Sequence, residues 1–264
     1  DSLGLPDNNI TYIYRDSHNR LWVATVNGVC LYQANGNFKR VSISSANKNI
    51  EKILEDKEGR IFFFTMTDLY QYDEKNNRAI TRLSKMVEKN CYNYSCHIDR
   101  KDVMWIVTSY SVKGYRTQDL KLIAQSPVQS YPIASFLLDG HQLYISGYNG
   151  MQLFDTDTRK WQHLPAALQG LQIPNDMVSG IHPYGEKGNL LLSTTKHGLL
   201  YFNAQEGTIL PQSDKNFPFE VPDMQVNKMF TDSKGNLWLG SEDDGVKTIY
   251  RYKDMFNSMP ALQR

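Results

Sequence analysis

The sequence predicts an all-β fold, a β-propeller of about six four-stranded antiparallel blades, on three observations. An Asp-containing turn followed by a bulky apolar pair returns along the chain at intervals of roughly 40 to 48 residues, the period of a four-stranded blade. Each copy reads as short β-prone runs separated by turn residues, the pattern of an antiparallel meander. Nowhere does apolar spacing of three and four persist long enough for a long helix, although the stretch from Leu83 to Asn90 has room for one short helical turn.

The first copy, Gly4 to Tyr32, is the template. A polar turn (Pro6 to Asn9) leads into a strand in which Ile10, Tyr12 and Tyr14 alternate with Thr11, Ile13 and Arg15. An Asp turn (Asp16 to Asn19) follows, then a second strand from Leu21 to Thr25. Asn27-Gly28, the residue pair favoured in a type I′ hairpin turn, then opens a third strand from Val29 to Tyr32. Later copies align as Asp56 with Ile61-Phe62, Asp99 with Met104-Trp105, Asp139 with Leu143-Tyr144, and Asp232 with Leu237-Trp238; the fifth has lost the Asp but keeps Leu190-Leu191. Fourth strands are expected at Phe38 to Ile43, Ala79 to Leu83, Leu120 to Ala124, Trp161 to Leu164, Thr208 to Leu210 and Met255-Phe256. The repeats then span approximately 4–46, 47–85, 92–126, 131–166, 176–212 and 224–260.

One meander cannot bury both of its faces, so blades must stack, with the apolar pair of the second strand clamped between neighbours. Asp16, Asp56, Asp99 and Asp232 read as structural: a carboxylate in a turn can accept from that turn's own backbone N–H groups.

A net charge of +1 gives no global electrostatic reason to expect a nucleic acid or an anionic membrane as partner. No apolar run approaches the length of a membrane helix. Cys30, Cys91 and Cys96 have no metal-ligand spacing and leave the redox compartment open. If residues 91–96 are extended, Cys91 and Cys96 stand about 17 Å apart, too far for a disulfide.

The residues Gly4-Leu5, Asn9, Ile10, Ile13, Asp16, Leu21-Trp22, Thr25, Gly28 and Tyr32 carry a resemblance to a known family. So do Asp232, Gly235, Leu237-Trp238, Gly240-Ser241 and Gly245-Val246. Both stretches resemble the two-component regulator propeller repeat, with Asn19 standing for its usual Gly. The resemblance implies the periplasmic sensor region of a Bacteroidetes hybrid two-component receptor that responds to oligosaccharides released from glycans. It also implies a parent with further blades, a β-sandwich, a membrane helix and a cytoplasmic histidine kinase as neighbours. A protein-interaction or scaffold propeller is the alternative, and a glycan hydrolase or lyase a more distant one.

The residues argue against catalysis, and no catalytic residue, metal or cofactor is expected. The turn at Asp232 places Asp three residues before Gly235, not two as in the Asp-box of sialidases. His18, His97, His141, His163, His182 and His197 show no paired ligand spacing. A glycine-rich phosphate loop and a nucleophile elbow are both missing.

In a propeller, the turns between second and third strands gather with the connections between blades on one side, and the Asp turns gather on the other. The first side is the expected ligand-binding rim, with Asn27, Tyr92, Tyr110, Tyr148, Asn149, Lys196, His197 and Asp243 as candidates. Asn8, Asp68, Tyr131, Asn175, Glu242 and Asp244 share it. Aromatic rings that stack on CH faces and amides that bond hydroxyls suit a sugar, while the plainer alternative is an ordinary polar rim. Because the chain starts and stops near blade boundaries, the alternative to a six-bladed ring is a truncated part of a seven-bladed or longer propeller array, whose first and last blades are expected to meet directly or to recruit a second copy as a homodimer.

Overall fold

Every residue of Ile61-Phe62-Phe63-Phe64, and of Leu190-Leu191-Leu192 with Ser193 and Thr194, is buried, which a strand achieves only when both faces of its sheet are covered. The computed structural model describes residues 4–45, 47–86, 93–129, 131–147, 150–169, 171, 177–222 and 224–251. It is an all-β propeller fold built from successive antiparallel meanders.

The first sheet has the order β1 (Ile10–Arg15), β2 (Leu21–Thr25), β3 (Gly28–Tyr32), β4 (Phe38–Arg40). A two-residue strand, β5 (Ser42–Ile43), then pairs in parallel with the outer strand of the next sheet. That sheet contains β6 (Lys52–Glu55), β7 (Ile61–Phe64), β8 (Leu69–Asp73) and β9 (Arg78–Leu83). The third is β10 (Asn93–Ile98), β11 (Val103–Thr108), β12 (Ser111–Arg116) and β13 (Leu122–Pro127). The fourth is β14 (Pro132–Leu138), β15 (Gln142–Gly147), β16 (Gly150–Asp155) and β17 (Lys160–Gln162), followed by the short helix α1 (Ala166–Gln169). β18 (Val178–Pro183), β19 (Leu190–Thr194), β20 (Leu199–Asn203) and β21 (Thr208–Pro211) make the fifth. Three strands of the sixth are described, β22 (Lys228–Thr231), β23 (Leu237–Gly240) and β24 (Val246–Ile249).

The sheets belong to two compact units. The first comprises Asp1–Pro132, Asp139–His141 and Thr156–Arg159; the second comprises Ile133–Leu138, Gln142–Asp155 and Lys160–Arg264. In the first unit, Trp22, Ala24 and Val29 pack against Ile53, Ile61, Phe63 and Tyr70 of the following sheet. The Trp22 ring lies 5.6 Å from Phe63 and 4.9 Å from Tyr72, both tilted or edge-on. The other face of the second sheet, Leu54, Phe62 and Phe64, meets Cys96, Met104 and Ile106. In the second unit, Tyr144 and Leu153 pack with Ile181, Leu190 and Leu192, and Leu191 and Leu199 pack with Leu237 and Leu239. Alternate residues of one central strand thus serve two different cores.

Several expected boundaries move, each for a local reason. Phe38 to Ile43 is not one strand: Val41 bonds back to Val29, after which Ser42 donates to Asn77, so the chain leaves the first sheet and joins the second. Burying Val41 and Ile43 in the core between those sheets drives the crossing. Leu120 is a buried turn residue with φ 55°, and the strand begins at Leu122. Leu164 lies beyond β17, buried beside α1, whose Leu168 is fully buried; this helix was not expected. Leu83 ends a strand and residues 84–86 are not helical, while 87–90 lie outside the described residues. Met255-Phe256 also lies outside them.

The Asn27-Gly28 turn is corrected as well. Thr25 pairs with Gly28, so the two loop residues are Val26 and Asn27, and φ is positive at Gly28 (129°) but not at Asn27. Ile10 does not share the face of Tyr12 and Tyr14, because a register shift falls between Ile10 and Tyr12. It is left 46% exposed.

Candidate functional site

Two turn geometries recur along the chain, one at each end of the second strand. At the Asp turns, Oδ1 of Asp16 accepts from the backbone N–H of His18 and Arg20. The same pair of bonds, to residues two and four further on, recurs at Asp56, Asp99 and Asp232. The residue three further on is left-handed every time: Asn19 (63°), Gly59 (76°), Asp102 (64°) and Gly235 (82°). Asn and Asp are the side chains that best tolerate that region, which explains Asn19 and Asp102 where Gly is usual. Oδ2 accepts from the indole N–H of Trp22, Trp105 or Trp238. In the second copy Phe62 replaces Trp, and Arg60 Nε donates to Asp56 Oδ2. These carboxylates are spent on structure.

The side-chain bond to Trp238, then those to Asn236 and the turn's backbone, hold the Asp232 carboxyl down at about 2 despite the opposing effect of partial desolvation. Asp139 is different: it is itself left-handed (φ 50°) and exposed, so the fourth copy matches in sequence but not in the role of its Asp. In the fifth, Tyr184 stands at the Asp position, and Asn189, just before the apolar strand, braces the turn in another way, its Oδ1 accepting from Ala204 N–H and its Nδ2 donating to the Tyr201 hydroxyl.

At the opposite end of the second strand, a buried threonine folds back over the hairpin. Thr25 Oγ1 donates to the Gly28 carbonyl at 3.0 Å and accepts from Asn27 N–H. Thr65 does the same with Asp68 and Thr67, and Thr108 with Ser111 and Tyr110. Thr194 bonds Gly198 and His197. Ser241 accepts from Asp244 N–H and donates to its carboxylate, so part of the Glu242-Asp243-Asp244 cluster serves its own turn. Connections between sheets are tied to these hairpins: Val26 to Asn9, Ile50 to Thr25, Met86 to Thr67 and Val128 to Tyr110 in the first unit, Thr195 to Met177 in the second.

The structure therefore places the candidates on equivalent hairpin tips. Asn27 and Tyr110 belong to the first unit, Tyr110 being 54% exposed; Lys196, His197 and Asp243 are exposed tips of the second. Asp68, at an equivalent position, accepts from Thr67 and from Lys85 N–H. Asn8 and Tyr131 are exposed. Tyr92, Tyr148, Asn149 and Asn175 lie outside the described residues.

A polar chain on the first strands escaped notice in the sequence. Lys52 Nζ stands 3.2 Å from His97 Nδ1, and His97 Nε2 stands 2.8 Å from Ser95 Oγ. An ammonium can only donate, so a neutral His97 accepts at Nδ1 and carries its proton on Nε2, toward the serine. In that state it cannot take the serine's proton, the reverse of what a nucleophile needs. Ser95 and His97, two apart on one strand, were visible as a pair in the sequence, while Lys52 comes from the first strand of the preceding sheet. His182, its pKa lowered by burial, bonds Thr231 through Nε2. Among the described residues no three His, Cys, Asp or Glu side chains gather where they could hold a metal ion.

With this geometry in place, comparison with known proteins is informative. Residues 4–27 and 220–243 each match the two component regulator propeller family. No curated protein matches the chain in sequence. Among solved structures, the chain is similar to the extracellular domain of BT4673 from B. thetaiotaomicron, assigned to a one component system, with TM-score 0.71 and 16% identity over 93% of this chain and 34% of that one. It is similar to the extracellular domain of BT3049, assigned to a hybrid two component system of the same organism, with TM-score 0.69 and 17% identity over 95% and 34%. Virginiamycin B lyase from Staphylococcus aureus gives TM-score 0.68 and 14% identity over 92% and 80%. At these identities the likeness is one of fold, and the chain spans about a third of the length of the two Bacteroides domains.

Proposed function

We propose that this chain, which carries two component regulator propeller repeats, is a non-catalytic ligand-recognition propeller in the periplasmic sensor region of a hybrid two-component receptor. We take its ligand class to be oligosaccharides derived from glycans, and its parent to carry a histidine kinase and a β-sandwich. The observation that carries this reading is the contrast within the hairpins. Their Thr frame is repeated, while the tips it holds differ: Asn27, Asp68 and Tyr110 in one unit, Lys196-His197 in the other. A constant frame presenting varied aromatic, amide and charged groups is how a recognition surface is built on a repeat. The repeat matches at residues 4–27 and 220–243 favour the sensor setting over a free-standing scaffold. No helix of the described residues is long and apolar enough to cross a membrane.

The test is isothermal titration of the chain with a panel of plant, host and microbial oligosaccharides, repeated with Tyr110→Ala and Lys196→Ala. Binding weakened about 10-fold or more by either change is expected. Saturable binding indifferent to every tip substitution, or release of reducing ends or unsaturated products from the same sugars, would overturn the reading.

A further inference from the structure

The first strands of several sheets share an irregularity near the hairpin end. Ile10 pairs with Thr25 and Tyr12 with Ala24, which leaves Thr11 as an extra residue. Ser179 is extra in the same way between Val178 and Gly180. In the second sheet Lys52 pairs with Phe64, which stands eight residues after Asp56 as Ala24 stands eight after Asp16, so Glu51 occupies the place of Thr11. Its backbone N–H donates to the Phe64 carbonyl at 2.8 Å, beside the Thr65 hairpin. An extra residue of this kind re-aims its side chain out of the alternation of the strand.

Thr11 and Ser179 use their side chains on nearby backbone: Thr11 Oγ1 donates to the Ile50 carbonyl and Ser179 Oγ to the Ser193 carbonyl. Glu51 does not. It is half-buried, and burial alone raises its pKa, with no hydrogen bond or neighbouring charge among the described residues set against it. The next residue gives no relief, because Lys52 Nζ is turned to His97. Asn49, two residues earlier, repeats the pattern: its N–H donates to Asn47 Oδ1, while its own Oδ1 is buried without a hydrogen bond to the described residues. Between them Ile50 is fully buried in the core shared by the first two sheets, and its N–H holds the Thr25 carbonyl, so the backbone carrying both acceptors is fixed. Two acceptors without donors beside one hairpin are a cost that a fold tolerates where a ligand brings the donors. Lys48 and Lys52 already supply positive charge to this segment, which favours neutral hydroxyls over an ammonium group.

We propose that Glu51 and Asn49 form a sugar subsite on the hairpin rim of the first unit. The Glu51 carboxylate accepts from two adjacent hydroxyls of one neutral ring, and Asn49 Oδ1 accepts from a water that the ring holds in place. The inference deepens the sensor reading and rests on it.

Calorimetric titration at pH 7 tests it, with trisaccharides of glucose, mannose, galactose and xylose and the amino trisaccharide of glucosamine as probes. Each is added to the chain, to Glu51→Gln, to Tyr110→Ala and to Glu220→Gln, the last altering an exposed carboxylate of the second unit. At least one neutral trisaccharide is expected to bind, about 10-fold or more weaker to Glu51→Gln and unchanged to Glu220→Gln. Without sugar, Glu51→Gln should melt at a higher temperature than the parent, because the amide removes a desolvated charge. A lower melting temperature would give Glu51 a structural role and overturn the subsite. Binding weakened by Tyr110→Ala and indifferent to Glu51→Gln would overturn the subsite and leave the sensor reading standing. Binding of the amino trisaccharide alone would overturn the assignment to neutral hydroxyls, and failure of every sugar to bind would overturn both readings.

Discussion

The indole N–H of Trp105 donates to Oδ2 of Asp99 at 2.7 Å, six residues back, with both side chains buried. The bond ties the core of the blade to its surface turn. The other oxygen of Asp99 holds Lys101 N–H and Val103 N–H, so one carboxylate closes the turn and fixes the orientation of the largest core ring.

Asp99→Asn is expected to destabilise the fold by roughly 1–3 kcal/mol, because an amide can keep the two turn bonds only by turning its NH2 toward the Trp105 N–H and leaving that buried donor unmet. Asp139→Asn should lie within about 0.5 kcal/mol of the parent, since Asp139 is exposed and Asn accepts its left-handed backbone. Urea titrations of the two variants compare them directly, and equal losses would sink the distinction between the turns.

Thr25→Val keeps the shape of the side chain and removes both of its bonds across the hairpin. A loss of roughly 1–2 kcal/mol is expected in chemical denaturation. Faster amide exchange at Asn27 should accompany it.

Gly114 pairs with Trp105 across β11 and β12, and a Cβ on it would stand 2.8 Å from the indole ring. Gly114→Ala should cost about 1–3 kcal/mol by displacing a fully buried ring. Gly36 has nothing within 4 Å of such a Cβ, but its φ of 85° makes Gly36→Ala a purely conformational change of about 1 kcal/mol. Near-ultraviolet circular dichroism should therefore change for Gly114→Ala alone.

Asp232 has its pKa lowered from 3.8 to about 2, first by the Trp238 bond. The stability this contributes is complete above the unfolded value and is lost as pH falls through the folded one. Calorimetric melting of the chain and of Asp232→Asn should thus converge between about pH 4 and pH 2. A gap that stays constant over that range would refute the assignment.

Burial raises the thiol pKa of Cys30 to about 11 and of Cys96 to about 12. In a Cys91→Ser background, neither should react with an aromatic disulfide reagent at neutral pH until denaturant is added. Prompt labelling of the folded chain would contradict this.

The repeat period, the turn chemistry and the residues clamped between sheets were legible in the sequence because each is a local requirement. A left-handed turn position admits Gly, Asn or Asp, and the central strands of stacked sheets must be apolar on both faces. Asp16, Asp56, Asp99 and Asp232 could be read as turn caps for the same reason, since their backbone partners lie within four residues. Asp139 is the exception: it stands four residues before Leu143, where the other four stand five before their apolar pairs, and in this shorter turn it is itself left-handed.

What tertiary structure decided lies between segments far apart in the chain. The chain leaves the first sheet after Val41 because the core that Val41 and Ile43 share with Ile53 and Phe63 is available only once the second sheet has packed. The His97 tautomer depends on Lys52, 45 residues away, and no local pattern announces that pairing. Trp22 and Trp238 occupy the same place in the same motif, yet one is sealed and the other exposed. A motif specifies which face a tryptophan takes, whereas its burial depends on whether a neighbouring sheet covers that face.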